Sequence, residues 1–71
     1  MAKTHKFYYE DKKTGEALVI DTTSLALADV IYFNHTGIDP AKAGHIGCTD
    51  LSAPINKHFK PKENTKYLKH K

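Results

Sequence analysis

The chain has 71 residues, of which 39% are hydrophobic and 27% are charged, and its formal net charge is +3. This length allows one small domain at most, and the composition is that of a folded globular domain and excludes a disordered chain. The longest apolar stretch, Leu25 to Phe33, is too short to cross a membrane, and no apolar segment follows the basic N-terminus as it would in a secretory signal. Together with a single cysteine, Cys48, these features predict a cytoplasmic protein.

The first third of the chain predicts a β-hairpin. Phe7 and Tyr9 fall on one face of a first strand, and Leu18 and Ile20 fall on one face of a second strand. Between the strands, Gly15 can adopt the positive φ of a type I turn followed by a G1 bulge. We therefore expect a substitution of this glycine to cost stability.

A helix from about Ser24 to His35 follows the hairpin. Three consecutive residues with a hydroxyl group, each able to cap a helix, precede Leu25. An uninterrupted run of residues compatible with a helix begins there. Gly37 suits the left-handed position just after a helix, and Pro40 prevents the helix from continuing.

The segment after the helix predicts a turn and then a third strand. Asp39 to Lys42 forms the turn, and His45 to Leu51 forms a strand that pairs with the hairpin. The predicted fold class is α+β in the order β-β-α-β, with one domain over residues 1–56 and a flexible, disordered basic tail over residues 57–71.

Charge is distributed unevenly along the chain. The last fifteen residues carry six lysines against one glutamate, whereas residues 14–56 carry one lysine against five acidic residues. An acidic body followed by a basic arm favours a negatively charged partner, although attraction between solvated charges is not selective.

The predicted helix is apolar around almost its whole circumference, and a three-stranded sheet can cover only one stripe of it. We expect the uncovered side chains to bind a partner protein. Two alternatives are that Ile55 and Phe59 fold back over the helix, or that Val30 to Phe33 is a strand instead. The partner-binding residues predicted in this way are Leu25, Asp29, Tyr32 and Phe33.

Catalytic and metal sites are not predicted. The ligand types of a zinc site occur at His35, His45, Cys48 and His58. His45 and Cys48 are three residues apart, however, so in a strand they point to opposite faces unless Gly47 introduces a bulge. No base or oxyanion site accompanies Cys48 as a nucleophile, and no phosphate-binding glycine loop occurs. We expect no cofactor and no enzymatic activity.

The alternative function is non-specific binding of nucleic acid through the basic arm. In this arm, lysines that could neutralise phosphates alternate with aromatic residues. Tyr67 or Phe59 would stack on bases. All eleven basic residues are lysine, so the bidentate contacts by which arginine reads guanine are missing. The candidate contact residues are Lys57, Lys60, Lys62, Lys66, Tyr67 and Lys69.

In its size, acidic body, basic tail and lack of an evident catalytic site, the chain resembles the small phage-encoded regulators that bind bacterial RNA polymerase. This resemblance implies a non-enzymatic protein that docks on host transcription machinery in the host cytoplasm and inhibits initiation or suppresses termination. It assigns no role to any individual residue. The sequence leaves the oligomeric state open, because a second copy could also cover the helix.

Overall fold

Four strands and one helix make up the fold, which a computed structural model describes for residues 3–56 and 58–69. In chain order the elements are β1 (His5–Asp11), β2 (Ala17–Thr22), α1 (Leu25–Thr36), β3 (Ile46–Asp50), a short 3-10 helix (Pro54–Asn56) and β4 (Lys66–Lys69). The strands form one sheet in the order β3-β1-β2-β4, in which β2 and β4 are parallel and the other pairs are antiparallel. The predicted α+β class is confirmed, and β4 adds a strand to the predicted β-β-α-β order.

The turn of the hairpin has the geometry that its glycine predicts. Gly15 has a φ of 79°, and its N–H donates to the carbonyl of Asp11 over 2.7 Å. The N–H of Asp11 in turn donates to the carbonyl of Glu16 over 2.8 Å. Because a side chain at this φ is strained, the glycine is required by the backbone conformation.

The helix covers one face of the sheet. Phe7 and Tyr9 of β1 and their neighbours on β2 form the main core with Ala28 and Tyr32 of α1, and all of these side chains are buried. Leu68 of β4 packs against the edge of the same core. Side chains alternate along a strand, so the residues between these point to the opposite face.

That opposite face is covered by the connection from β3 to β4. Tyr8, Ala17 and Val19 form a second buried cluster there, against which Leu51 packs. The ring of Phe59 meets the ring of Tyr8 edge to face, with centroids 5.2 Å apart. The two central strands are therefore buried on both faces, which explains why each carries consecutive apolar or aromatic residues, Phe7 to Tyr9 in β1 and Ala17 to Ile20 in β2.

Both alternatives for covering the helix are wrong. Phe59 lies against the sheet face opposite the helix, and the side chain of Ile55 is 92% exposed. The segment Val30 to Phe33 lies within α1 and is not a strand. Local helix signals override its β propensity, because Ser24 caps the N-terminus through a hydrogen bond from the N–H of Leu27.

The prediction of a disordered tail is corrected for the part of residues 57–71 that the structure describes. Lys66–Lys69 forms β4 and pairs with β2, so that Ile20 lies beside Leu68. Nearer the body, Lys62 forms an ion pair with Glu10. This segment lacks a periodic apolar face, and its contacts with the body are the backbone pairing with β2 and the partly buried side chain of Leu68.

Candidate protein-docking surface

The inner side of α1 is fixed by packing and by its two ends. Ala28 is completely buried, and Tyr32 is 4% exposed. At the C-terminal end, Gly37 adopts a φ of 77° and donates its N–H to the carbonyl of Phe33 over 2.7 Å. The capped helix therefore presents its remaining sides to solvent in a defined orientation.

Tyr32, which was predicted to anchor a partner, belongs to the protein's own core. Its ring stacks on the ring of Tyr9 at a centroid distance of 4.6 Å. Burial raises the pKa of the Tyr32 hydroxyl. The prediction is wrong for this residue because a helical wheel alone does not show which stripe of an almost uniformly apolar helix the sheet selects.

Asp29, also predicted as a partner contact, has an internal hydrogen-bond partner. The hydroxyl of Tyr9 donates to Oδ1 of Asp29 over 2.6 Å. Burial raises the pKa of Tyr9, and the bond to the carboxylate raises it further. Asp29 thus ties the helix to the central strand β1, and this role is structural.

The sheet leaves three large apolar side chains of α1 about half exposed, Val30 and Phe33 on the outer side and Leu25 at the N-terminal end. Leu25, Val30 and Phe33 are 49%, 54% and 50% exposed, respectively. We call these three residues the outer helix patch. Val30 and Phe33 are three positions apart and therefore lie side by side on the helix surface, while Leu25 lies two turns below Phe33. Two of the four predicted partner-binding residues, Leu25 and Phe33, are thus available for contact.

Val30 was not among the predicted contacts. The signal that identifies it is its spacing, because a residue three positions before Phe33 shares its face of the helix. Phe33 itself was predicted from its size and aromatic character. On a helical wheel Val30 also lies beside Leu27, which the structure leaves partly buried.

The patch adjoins a cleft at the edge of the sheet. This open cleft has a volume of about 470 Å³. Its lining residues are Leu25, His5, Phe7, Thr23, Cys48 and Asp50. Nδ1 of His5 lies 3.8 Å from Oδ2 of Asp50. Desolvation raises the pKa of the Cys48 thiol, and because the thiolate is the nucleophile, this lowers its reactivity.

A second open cleft of about 430 Å³ lies at the C-terminal end of α1. It is lined by residues of α1, β2 and the segment around β4, among them Glu16, Tyr32, His35, Ile38 and Lys66.

The predicted nucleic-acid contacts are distributed over two elements. Lys66, Tyr67 and Lys69 belong to β4, where Tyr67 is 64% exposed. Lys60 is exposed in the connection before β4, whereas Lys62 is paired with Glu10. Lys57 lies outside the described residues.

No group of three or more His, Cys, Asp or Glu side chains that could hold a metal ion occurs within residues 3–56 and 58–69. Over the same ranges, no helix has the length and apolar character needed to span a bilayer. Comparisons with protein-family models, curated proteins and solved structures gave no match.

Proposed function

We propose that this protein is a non-enzymatic binding protein that docks on another protein through the outer helix patch. One observation carries the proposal: α1 is packed on its inner side and capped at both ends, yet Leu25, Val30 and Phe33 remain about half exposed. Scattered exposed apolar residues are common, but three on one short helix form a patch of the kind that marks interaction sites.

The residue expected to contribute most to affinity is Phe33. Aromatic side chains concentrate binding energy when they enter a desolvated pocket of the partner. Leu25 and Val30 flank it and would exclude water from the contact. At about 25 cal/mol per Å² of apolar surface, removing the exposed half of each side chain from water contributes on the order of 1 kcal/mol.

The partner that we propose is bacterial RNA polymerase or a protein bound to it. This proposal rests on the general resemblance to small phage-encoded polymerase regulators, and with it we propose the host cytoplasm as the location. The lysines near the C-terminus support the proposal, because transcription complexes carry nucleic acid and acidic protein surfaces that attract positive charge.

A direct test measures binding of the labelled protein to purified bacterial RNA polymerase by fluorescence anisotropy. Phe33→Ala is expected to weaken binding at least tenfold at every salt concentration, because it removes apolar contact. Ile55→Ala is the matched control, since Ile55 is an exposed apolar residue of the short 3-10 helix and not of α1. Equal affinity of Phe33→Ala and Ile55→Ala would contradict docking through the patch.

The second candidate function is non-specific binding of nucleic acid, and the observation that favours it is the exposed Tyr67 between Lys66 and Lys69 on β4. Stacking on an aromatic ring beside lysines is typical of single-strand binding. The combined variant Lys66→Gln and Lys69→Gln would then lose binding to an arbitrary oligonucleotide and show a flatter salt dependence than the wild type. Phe33→Ala would bind that oligonucleotide normally.

A further inference from the structure

The two outer edges of the sheet differ in how they resist pairing with another strand. The edge at β4 carries Lys66 and Lys69, and charged side chains of this kind discourage edge-to-edge association. The edge at β3 has the sequence Ile-Gly-Cys-Thr-Asp and no lysine. Its central residue, Cys48, is exposed. Only the β3 edge is therefore suited to accept a further strand.

The hydrogen bonds to β1 show which backbone groups of β3 point outward. The N–H of Lys12 donates to the carbonyl of His45, and the N–H of Leu51 donates to the carbonyl of Lys6. In an antiparallel ladder every second residue bonds to the neighbouring strand. With the observed register, the residues between His45 and Leu51 that bond to β1 are 47 and 49, so residues 46, 48 and 50 direct their backbone groups away from β1.

Two of these outward groups have partners within the chain. The N–H of Ile46 donates to the carbonyl of Ala43 over 3.0 Å. The carbonyl of Asp50 accepts hydrogen bonds from the N–H of Ala53 and from Nδ2 of Asn56. Within residues 3–56 and 58–69, four outward groups are left without a backbone or side-chain partner: the carbonyl of Ile46, the N–H and carbonyl of Cys48, and the N–H of Asp50.

We propose that two copies of this chain form a homodimer by antiparallel pairing of their β3 edges about a two-fold axis at Cys48. The N–H of each Cys48 donates to the carbonyl of Cys48 in the second copy. The N–H of each Asp50 donates to the carbonyl of Ile46 in the second copy. The four open groups are thus self-complementary, as an isologous interface requires, and the two sheets join into one of eight strands.

Charge along the edge also favours this orientation. Asp50 is at one end of β3, whereas the side chain of Lys12, which lies alongside Gly47, is at the other end. Antiparallel pairing brings the Asp50 end of each copy to the Lys12 end of the other. A parallel arrangement would place the two Asp50 carboxylates together, where like charges repel.

The cleft beside Cys48 extends the contact beyond the backbone. Leu25 lines this cleft at the edge of the sheet, so dimerisation continues from the paired strands onto apolar surface. One short strand pair with limited side-chain contact is smaller than a standard interface, and we expect a dissociation constant on the order of micromolar. Leu25 is shared with the outer helix patch, but Phe33 and Val30 are not required for the dimer, so Phe33→Ala should leave dimerisation unchanged and separates this inference from the proposed docking function.

Sedimentation equilibrium on the whole chain tests the dimer over a concentration range of about 1 to 500 μM, which brackets the expected constant. Cys48→Ser is the matched control, because it keeps every backbone group of the edge, and we expect it to dimerise like the wild type. Cys48→Pro removes the outward N–H donor and leaves the ladder with β1 intact, and a proline is tolerated at such a position. We expect it to weaken dimerisation at least tenfold.

A second variant covers the case in which Cys48→Pro does not fold. Cys48→Lys keeps the backbone but brings two ammonium groups together at the two-fold axis, and it should also weaken dimerisation at least tenfold. Circular dichroism establishes that each variant is folded. A wild type that is monomeric throughout the range overturns the proposal, as does a dimer whose affinity Cys48→Lys leaves unchanged.

Oxidation with diamide, which takes up the two hydrogens of a thiol pair, tests the register. Opposed residues of a hydrogen-bonded pair have Cα atoms about 5.5 Å apart, within the range of a disulfide. The wild type should therefore form a covalent dimer through Cys48. In a Cys48→Ser background, Thr49→Cys places the thiols on the opposite face and out of register, and it should cross-link at least tenfold more slowly. Equal cross-linking rates would overturn the proposed two-fold axis.

Discussion

The hydroxyl of Tyr9 donates a hydrogen bond of 2.6 Å to the carboxylate of Asp29 and thereby joins the central strand of the sheet to the middle of the helix. The ring of Tyr9 is completely buried and stacks on Tyr32 one turn further along the same helix. Burial and the acceptor both raise the pKa of Tyr9, so its hydroxyl remains a donor throughout the physiological pH range. This pair holds α1 in the orientation that turns the outer helix patch toward solvent.

Removing this hydrogen bond is expected to destabilise the fold. Tyr9→Phe keeps the packing of the ring but leaves the partly buried carboxylate of Asp29 without its donor. Hydrogen bonds to charged groups contribute about 1.5–3 kcal/mol, so we expect a loss of roughly 2 kcal/mol in the free energy of unfolding, measured by urea denaturation. Tyr8→Phe is the control, since Tyr8 lies on the other face of the sheet. Equal losses for the two variants would mean that the bond contributes nothing specific.

Stability should also fall in acid because of Asp11. Burial of its carboxylate opposes ionisation, but hydrogen bonds from the N–H groups of Lys13 and Thr14 outweigh this and lower the pKa of Asp11 below its ordinary value of 3.8. A folded-state pKa that is depressed contributes stability above the ordinary value, and this contribution is lost as the pH falls through the folded-state pKa.

The measurement is the urea midpoint of the wild type and of Asp11→Asn at about pH 6 and about pH 2.5, which span the acid range in which carboxyl groups ordinarily titrate. Asn keeps an acceptor oxygen but has no charge to titrate. The wild type should be more stable at the higher pH, and the difference between the two proteins should shrink at the lower pH. If the difference in urea midpoint between the two proteins is the same at both pH values, ionisation of Asp11 does not contribute to the loss of stability in acid.

Local signals in the sequence predicted the hairpin, the helix and β3, because each depends on a few neighbouring residues. Gly15 and Gly37 both have the positive φ that their positions predicted. Ser24 caps the helix at the predicted end. Each of these features depends on a few residues that are close together in the sequence, so a single sequence suffices to predict it.

Long-range features were not predictable in the same way. The parallel pairing of β4 with β2 joins residues 48 positions apart in sequence, such as Ile20 and Leu68, and no turn signal links them. The choice of Tyr32 as the inner residue of α1 depends on its stacking with Tyr9. The apolar sequence of the helix is compatible with several inner stripes, so only the packed sheet decides between them.

The positive φ of Gly15 predicts a specific cost of substitution. Gly15→Ala should lower the free energy of unfolding by about 1–2 kcal/mol, because an L side chain is strained in the left-handed region. Gly44→Ala is the matched control: it lacks a positive φ, and its added methyl group would also meet open space. Thermal denaturation of both variants separates backbone strain from the general effect of replacing a glycine. Similar melting temperatures for the two variants would contradict the assigned turn.

The ordering of β4 can be tested with two neighbouring residues that point to opposite faces. Leu68→Ala removes a partly buried side chain from the main core and should cost about 1–2 kcal/mol, less than a fully buried leucine. Tyr67→Ala removes a mostly exposed side chain from the other face and should cost less than about 0.5 kcal/mol. Urea denaturation measures both. If residues 66–69 did not pair with β2, neither variant would change stability, so a near-zero effect of Leu68→Ala contradicts the fourth strand.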